Sequence, residues 1–240
     1  MREQNILITG AASGMGYAIA RKLAPKRQRL YCLDIDKKSL EQCCKTLQKS
    51  EEVECTPLVC DLRSPEMIEN VFLEIDKLDH VIHCAGIALP DDWKESSDDD
   101  WIKILQVNLL GAWLIIHQSA RALSKQSGGT IISISSAAAL KPMPSQAVYS
   151  ATKAGLNALH HALREELRPH NIRLTTICPG PTKTNILHQF PKEYIDKYRV
   201  MEEPRLDATD IADVVDFIIT SPAHMNFDNI TLTPSSWTWS

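Results

Sequence analysis

The sequence predicts a doubly wound α/β fold, in which a parallel sheet of about seven strands carries helices on both faces. Short apolar runs alternate with longer segments of helical period along the chain. These runs read as continuous Val/Ile/Leu-rich stretches, which is typical of strands that are buried on both faces. A glycine-rich stretch at residues 9–16 directly follows the first run, as expected for a tight strand-to-helix turn. The alternation and the glycine-rich turn together indicate a parallel sheet.

The individual elements follow in order along the chain. The predicted strands lie at residues 5–9, 29–35, 53–60, 78–84, 129–135, 172–178 and 229–233. The predicted helices lie between them, at residues 14–24, 37–49, 65–77, 97–126, 149–168 and 208–220. Either Ser96 or Ser97 can cap the long fourth helix, because a serine hydroxyl accepts a bond from a first-turn N–H.

A longer irregular segment, residues 181–206, follows the sixth predicted strand. Long irregular segments in compact α/β folds are often lids or binding loops, so we expect a lid here. The chain has no internal repeat, low-complexity tract or linker. One domain over residues 1–240 is therefore the simplest expectation.

Charge and hydropathy exclude several classes of function. The net charge of −4 and the absence of a basic, aromatic-rich stripe argue against a nucleic-acid partner. The apolar run at residues 107–116 is interrupted by Asn108 and Gly111 and is too short to cross a bilayer. The run at residues 5–8 begins too early and is too short for a signal peptide. We therefore expect a cytoplasmic protein that binds neither nucleic acid nor membranes.

The seven cysteines indicate a reducing compartment. Their number is odd, no C-x-x-C pair occurs, and no histidine has a zinc-ligand spacing to them. Several lie in strand-like runs, where small buried thiols are common. The cysteines are Cys32, Cys43, Cys44, Cys55, Cys60, Cys84 and Cys178. The sequence thus predicts neither a disulfide framework nor a metal site.

The glycine-rich turn is predicted to bind a dinucleotide. Gly10 permits the tight turn, Gly14 lets the backbone approach a pyrophosphate, and Gly16 allows close helix–strand packing. Ser13 and Met15 complete the loop, which presents the N-terminus of the first helix to the phosphates.

Two acidic residues extend this interpretation. Asp34 ends the second predicted strand, where a carboxylate accepts both ribose hydroxyls of NAD and repels a 2′-phosphate. We therefore expect NAD, with NADP the less favoured cofactor. Asp61 follows the third predicted strand and has two interpretations of equal weight, a contact to the adenine amino group or a cap for the helix near Ser64 and Pro65.

Tyr149 and Lys153 are predicted to form a proton-transfer pair. They are four residues apart, so in a helix they lie on the same face. A nearby ammonium favours the phenolate and lowers the pKa of the phenol. A phenol with a lowered pKa can exchange a proton with an alcohol or carbonyl oxygen.

These motifs, taken in order, resemble the short-chain dehydrogenase/reductase family over nearly the whole chain. The glycine loop has the form T-G-x-x-x-G-x-G and the pair has the form Y-x-x-x-K. Further matching positions are Asp34, Asp61, Leu62, Asp79, Ala85, Gly86, Asn108, Ser136, Pro179, Gly180 and Thr184. Ser136 is preferred over Ser135 because it stands thirteen residues before Tyr149, a spacing that the resemblance supplies.

The resemblance implies a Rossmann-type fold and a role for each matching residue. Tyr149 would be the general acid/base, Lys153 would bind the nicotinamide ribose and lower the pKa of Tyr149, and Ser136 would position the substrate oxygen. Asn108 would hold a water that links Lys153 to solvent. The remaining cofactor contacts would come from Asp61, Leu62, Ala85, Gly86, Pro179, Gly180, Thr182 and Thr184.

The implied function is NAD(H)-dependent interconversion of a secondary alcohol and a ketone or aldehyde by a homodimer or homotetramer. The alternative is a cofactor-binding regulator or scaffold of the same fold without turnover. The expected substrate-pocket walls are mostly apolar, and they suit a small or medium-sized hydrophobic carbonyl compound. These walls are Ala138, Leu140, Met143, Pro181, Ile186 and Leu187.

The chain departs from the family pattern at two places. His83 and Cys84 stand where the family usually carries two asparagines, so the side-chain bonds that frame the adenosine pocket must differ. The C-terminus lacks the usual V-D-G-G and ends in a polar tail with Trp237 and Trp239. Large apolar side chains on a polar tail seek a partner surface, so we expect Trp237 and Trp239 to fold back on their own subunit or to dock on a neighbouring one.

Overall fold

A computed structural model describes residues 4–26, 29–51, 53–89, 93–94, 96–184, 186, 195 and 204–238. Within this part the strands are β1 (Asn5–Thr9), β2 (Arg29–Asp34), β3 (Cys55–Val59), β4 (His80–His83), β5 (Gly129–Ile134), β6 (Ile172–Pro179), β7 (Thr182–Lys183), β8 (Leu206–Asp207) and β9 (Asn229–Leu232). Seven of them form a parallel sheet in the order β3-β2-β1-β4-β5-β6-β9. The predicted fold class is confirmed, and the ends of every predicted strand lie within two residues of the observed ends.

The α-helices are α1 (Gly14–Leu23), α2 (Lys37–Glu51), α3 (Pro65–Leu73), α4 (Asp98–Leu105), α5 (Ala112–Ser124), α6 (Ala147–Leu167) and α7 (Ala208–Thr220). Ser97 caps α4, because its hydroxyl accepts a bond of 3.2 Å from Asp100 N. No helix in the described ranges combines the length and apolar character needed to cross a membrane.

The predicted long helix at residues 97–126 is observed as an unbroken helical run from Asp98 to Ser124, and its middle is wound differently from an α-helix. A π-helical turn, Gln106–Gly111, separates α4 from α5. Gly111 in this turn lies so close to Leu62 that an added Cβ would come within 2.7 Å of the Leu62 carbonyl oxygen. Asn108 in the same turn bonds to the backbone of Ile87 through its amide. Such widened turns occur frequently at functional sites.

The helices cover both faces of the sheet with separate apolar layers. Ile19 of α1, Leu40 of α2 and Val215 of α7 belong to the layer on one face. Ile115 of α5 and Leu156 of α6 belong to the layer on the other face. This burial on both faces explains why the strands read as continuous apolar runs.

The strand order reverses between β1 and β4, and this topological switch opens a crevice at their carboxyl ends. The Thr9 hydroxyl joins the two strands there, since it accepts bonds of 3.1 Å from Cys84 N and from Ala85 N. The same hydroxyl lies 3.0 Å from His83 Nδ1, so its proton points to that nitrogen. His83 thereby forms a side-chain link across the switch.

A second buried histidine, His160 of α6, lies in this region. His160 Nε2 lies 2.7 Å from Ser133 Oγ, and Ser133 is the β5 residue paired with His83 of β4. Burial lowers the pKa of His83 to about 3 and that of His160 to about 3. The pKa of the buried His80 is lowered to about 4 for the same reason. These histidines are therefore neutral structural residues at physiological pH.

We expect the buried histidines to make stability depend on pH. An unfolded histidine binds a proton near pH 6.5, so between about pH 6.5 and the lower native pKa the unfolded state binds more protons. Stability is therefore present above about pH 6.5 and falls as the pH is lowered through this window. We expect the free energy of unfolding, measured with urea, to fall between pH 7 and pH 5 in both proteins. The fall should be about 1–2 kcal/mol smaller in His160→Gln than in the wild type. A His160→Gln variant that loses as much stability as the wild type between pH 7 and pH 5 would contradict this origin of the pH dependence.

The two ends of the predicted lid lie side by side. β7 pairs with β8 in parallel, and Lys183 Nζ lies 2.9 Å from Asp207 Oδ1. Most of residues 181–206 lies outside the described residues, as do Leu187 and Trp239. The described Trp237 is partly buried.

Candidate active site

The glycine loop adopts a backbone that demands glycine at specific positions. Gly10 has φ +70° and Gly14 has φ +54°, values that residues with a side chain rarely adopt. A Cβ on Gly16 would lie only 2.0 Å from the Gly10 carbonyl oxygen, and one on Gly10 would lie 2.9 Å from Ala85 Cα. The loop is thus folded tightly on itself and against the end of β4. Ser13 begins α1 at its base without capping it through its side chain.

A cavity of about 550 Å³ opens between this loop and the carboxyl ends of β2, β3 and β4. Most of the predicted cofactor-binding residues line it. These are Gly10, Ser13, Gly14, Met15, Gly16, Asp34, Asp61, Leu62, Ala85, Gly86 and Thr184. The structure therefore brings together residues from five separate segments of the sequence.

The Asp34 carboxylate is held in place by the backbone. Its Oδ2 accepts a bond of 3.1 Å from Ala12 N, and its Oδ1 accepts one of 3.0 Å from Asp36 N. Each oxygen retains capacity for a further bond, because an ionised carboxylate has about four acceptor positions. The Asp34 carboxylate is thus a hydrogen-bond acceptor held by the backbone in the wall of the cavity.

Asp61 is paired with a cation in the cavity wall. Arg63 donates to both carboxylate oxygens, with Nε–O distances of 3.0 Å. The hydrogen bonds from Arg63 lower the pKa of Asp61 against the effect of burial, and Lys103 lowers it further. The alternative role of Asp61 as a helix cap is wrong, because the Ser64 hydroxyl caps α3 by accepting a bond of 3.2 Å from Met67 N.

The Tyr149–Lys153 pair lies at the beginning of α6, and neither residue is among those that line the cavity. The Ser136 side chain hydrogen-bonds to Tyr149. Lys153 Nζ lies 5.8 Å from the centroid of the Tyr149 ring. Ser135 takes a different role, since its hydroxyl donates to the Lys153 carbonyl oxygen at 3.3 Å. The geometry therefore favours Ser136 over Ser135, as the sequence spacing predicts.

The predicted direction of the Tyr149 pKa shift is wrong for the protein alone. Burial raises the pKa of Tyr149, and the hydrogen bond with Ser136 offsets this only in part. Burial also lowers the pKa of Lys153 to about 8. The reason is that desolvation disfavours the charged form of both groups. Lys153 Nζ itself donates at 3.0 Å to the Ile134 carbonyl oxygen.

Asn108 is positioned by the π-helical turn against the loop after β4. Its Oδ1 accepts a bond of 2.8 Å from Ile87 N, and its Nδ2 donates at 2.7 Å to Ile87 O. Gly86 separates Asn108 from Lys153, because a Cβ there would lie 3.3 Å from Asn108 Oδ1 and 3.5 Å from Lys153 Nζ. Asn108, Gly86 and Lys153 are consequently one packed group, and only glycine leaves their contacts undisturbed.

The segment after β6 reaches the glycine loop at Thr184. A Cβ on Gly14 would lie 3.5 Å from Thr184 Cβ, so Thr184 stands over the loop. Gly180 N donates at 2.7 Å to Leu232 O, and the Thr182 hydroxyl donates at 3.0 Å to Gly180 O. Pro179, Gly180 and Thr182 thus belong to the support of this segment, while Thr184 and Ile186 line the cavity.

Two charged residues in the cavity wall were not predicted from the sequence. Arg63 and Lys103 bring positive charge to the end that holds Asp34 and Asp61. The position of Arg63, two residues after Asp61, is a signal that the sequence offered. No sequence pattern marked Lys103, because its approach to the cavity depends on how α4 packs.

The chain also matches known proteins along most of its length. Residues 4–195 match the family model described as short chain dehydrogenase. An uncharacterized oxidoreductase of Staphylococcus epidermidis is 28% identical over 234 residues, which cover 98% of each protein. One of Staphylococcus aureus is 29% identical over 229 residues, which cover 95% of this chain and 96% of the relative.

Solved structures share the fold. An alcohol dehydrogenase from the archaeon Thermococcus sibiricus, complexed with 5-hydroxy-NADP, has a TM-score of 0.85 at 24% identity and covers 96% of each chain. A serine dehydrogenase complexed with NADP+ has a TM-score of 0.90 at 23% identity, over 99% of this chain and 97% of that one. A 3-ketoacyl-(acyl-carrier-protein) reductase from Brucella melitensis, complexed with NADH, has a TM-score of 0.82 at 24% identity, over 96% of each chain.

Proposed function

Because the chain belongs to the short-chain dehydrogenase family of oxidoreductases, we propose that it uses NAD(H) to interconvert a secondary alcohol and a ketone or aldehyde. The observation that carries the proposal is the hydrogen bond between Ser136 and Tyr149, with Lys153 Nζ 5.8 Å from the same phenol ring. A phenol so placed suits proton exchange with a substrate oxygen.

The residues present fit a nicotinamide dinucleotide. Gly10, Gly14 and Gly16 leave the N-terminus of α1 open to a pyrophosphate, because side chains at these positions are excluded by backbone geometry or by contact. Asp34 offers fixed acceptors at the end of β2. Such a cofactor supplies the hydride that the protein's own side chains cannot provide.

The side chains of the chain would handle the proton. In the reduction, the Tyr149 hydroxyl donates its proton to the carbonyl oxygen of the substrate, while Ser136 hydrogen-bonds that oxygen and holds it in place. In the oxidation, the Tyr149 phenolate accepts the alcohol proton. The raised pKa of Tyr149 keeps the phenol protonated at neutral pH, which favours its action as an acid in the reduction.

Lys153 and Asn108 would support this proton transfer. A charged Lys153 stabilises the developing phenolate, and its lowered pKa of about 8 places its own proton exchange close to physiological pH. Asn108 would hold a water beside Lys153 and so restore the proton from solvent. Gly86 lies between the two side chains and sets their spacing.

We expect NAD(H) to be preferred over NADP(H). The Asp34 carboxylate would bond to the ribose hydroxyls and repel a 2′-phosphate, and the Arg63 guanidinium is occupied by Asp61. Asp34→Ala should therefore weaken NADH binding by roughly 10- to 150-fold, because bonds to a charged group contribute about 1.5–3 kcal/mol. NADPH binding should be unchanged or tighter, as fluorescence titration with each cofactor can measure.

The exposed neighbour Asp36 supplies the control for this prediction. Its carboxylate bonds to Ser39 at the start of α2, so Asp36→Ala should not change the ratio of NADH to NADPH affinity. Equal weakening of both cofactors in Asp34→Ala would contradict the ribose role.

The substrate is proposed to be a small or medium-sized hydrophobic carbonyl compound. Ala138, Leu140 and Met143 follow Ser136 directly, and Leu140 is 51% exposed, which makes it available for contact with a ligand. Pro181 and Ile186 extend this apolar wall on the side of Thr184. We also propose a homodimer or homotetramer, because Ile102, Leu105 and Leu110 expose apolar surface along α4 and the π-helical turn.

The proposed function is tested with purified protein, NADH and a panel of ketones and aldehydes. We expect NADH consumption that depends on both protein and carbonyl compound. Saturable NADH binding without consumption across a broad panel would instead support a cofactor-binding regulator or scaffold.

A further inference from the structure

Three cysteines from three different elements meet inside the first βαβ unit. Cys32 lies on β2, Cys44 on α2 and Cys55 on β3, and they are 0%, 2% and 3% exposed. Their sulfur atoms all lie within 4.8 Å of one another. The sulfurs of Cys32 and Cys55 are 3.4 Å apart. We name Cys32, Cys44 and Cys55 the thiol triad.

The geometry of the thiol triad suits a trigonal metal centre. With metal–sulfur bonds of about 2.3 Å, the three sulfurs of a planar trigonal site lie roughly 4 Å apart. The observed limit of 4.8 Å requires only small side-chain rotations to reach this arrangement. The α2 backbone carries Cys44 toward two adjacent parallel strands, so three independent elements hold the ligands.

The ligand type and number select the class of metal. Thiolates are soft ligands that favour Cu(I) and Zn(II) over hard cations. Structural zinc sites are almost always closed by four ligands. Cys43, the next thiol along α2, donates its S–H at 3.3 Å to the Ala11 carbonyl oxygen. It also hydrogen-bonds to Cys32, but its sulfur is not one of the three that lie within 4.8 Å of one another.

We propose that Cys32, Cys44 and Cys55 form a buried three-thiolate site for the soft monovalent ion Cu(I). Each thiol that becomes a thiolate ligand releases its proton to solvent as the metal–sulfur bond forms, and no oxidation or reduction takes place. This site is separate from the proposed oxidoreductase function.

Metal binding at the thiol triad would also stiffen the floor of the nucleotide site. The bond from Cys43 ties α2 to Ala11 of the glycine loop, and Ala12 in the same loop donates to Asp34. A ligand that binds only the folded state raises its stability. We therefore expect Cu(I) to raise the unfolding temperature of the full chain.

The test is an anaerobic titration of the reduced full-length protein with Cu(I), in competition with a chromophoric Cu(I) chelator. We expect wild-type protein to remove one equivalent of Cu(I) per chain from the chelator and to melt at a higher temperature when loaded. Zn(II) alone should bind at least tenfold more weakly, because the triad lacks a fourth ligand. Tight 1:1 binding of Zn(II) with no uptake of Cu(I) would overturn the assignment.

Cys44→Ser and Cys55→Ala each remove one ligand, and they differ in the polarity left behind. At a chelator concentration from which the wild type removes Cu(I), neither variant should remove it. Circular dichroism should show that both variants are folded. Cys60→Ser is the matched control, because Cys60 is also buried but lies outside the triad, and it should retain uptake. Uptake that persists in both triad variants, or that fails in folded wild type, would refute the site.

Discussion

Replacement of Tyr149 by phenylalanine is expected to lower carbonyl reduction by about 10²–10⁴-fold, the usual contribution of a positioned general acid. The variant removes only the hydroxyl group that bonds with Ser136, so the half-buried ring stays in place. NADH affinity should change little, because the phosphate and adenosine contacts lie at the other end of the site. The measurements are kcat with the best substrate of the panel and a fluorescence titration with NADH.

Tyr31 provides a matched control for this prediction. It is also buried, at 3% exposure, and its hydroxyl accepts a bond of 3.5 Å from Arg29 Nη1. Tyr31→Phe should leave kcat near the wild-type value. A Tyr149→Phe variant with undiminished kcat would remove this hydroxyl from the mechanism.

The second large effect is expected from Gly16→Ala. The new Cβ would lie 2.0 Å from the Gly10 carbonyl oxygen and 3.2 Å from Ala11 Cα, so the glycine loop must shift. A backbone shift of this kind costs about 1–3 kcal/mol, which corresponds to roughly 5- to 150-fold weaker binding. Isothermal titration with NADH should show this loss, together with a higher KM for NADH.

Gly155→Ala is the corresponding control on a different helix. Its Cβ would lie 3.0 Å from Leu109 Cδ1, the end of a flexible side chain that can rotate away. NADH affinity in Gly155→Ala should stay close to that of wild type. Unchanged NADH affinity in Gly16→Ala would show that the loop does not shape the cofactor site.

The sequence predicted those features that depend on local pattern. Buried parallel strands require continuous apolar runs, so β1 to β6 and β9 could be placed within two residues. Gly10 and Gly14 could be assigned to a tight turn because their positive φ values are conformations that few other residues adopt.

Features that depend on tertiary packing were not predictable. The π-helical turn at Gln106–Gly111 depends on how Asn108 meets the Ile87 backbone, which no periodicity encodes. The pKa of Tyr149 rises because the phenol is desolvated. The spacing along the helix predicts only that Lys153 lies close to Tyr149, and it says nothing about solvent access. The thiol triad could not be predicted, because its cysteines come from three separate elements and have no common spacing.

The residues of the candidate site also fall into those that the sequence pattern predicts and those that depend on tertiary packing. Ser136, Tyr149 and Lys153 could be named from their order and spacing, and the structure brings them together. Lys103 at the cavity wall could not be named in advance, because its approach depends on the packing of α4, whereas Arg63 stands two residues after Asp61 and could have been named. Binding residues that act through charge at a distance leave a weaker trace in the sequence than a glycine turn does.

The central claim is that the chain itself carries out hydride exchange between a nicotinamide and a carbonyl carbon. NADH that carries deuterium at the nicotinamide C4 tests it most directly, with mass spectrometry of the alcohol formed from the best carbonyl compound of the panel. We expect the alcohol to carry deuterium on its carbinol carbon, transferred from one face of the nicotinamide only. Tyr149→Phe should lower the rate of this transfer. Saturable NADH binding with no deuterium in any alcohol product would contradict it.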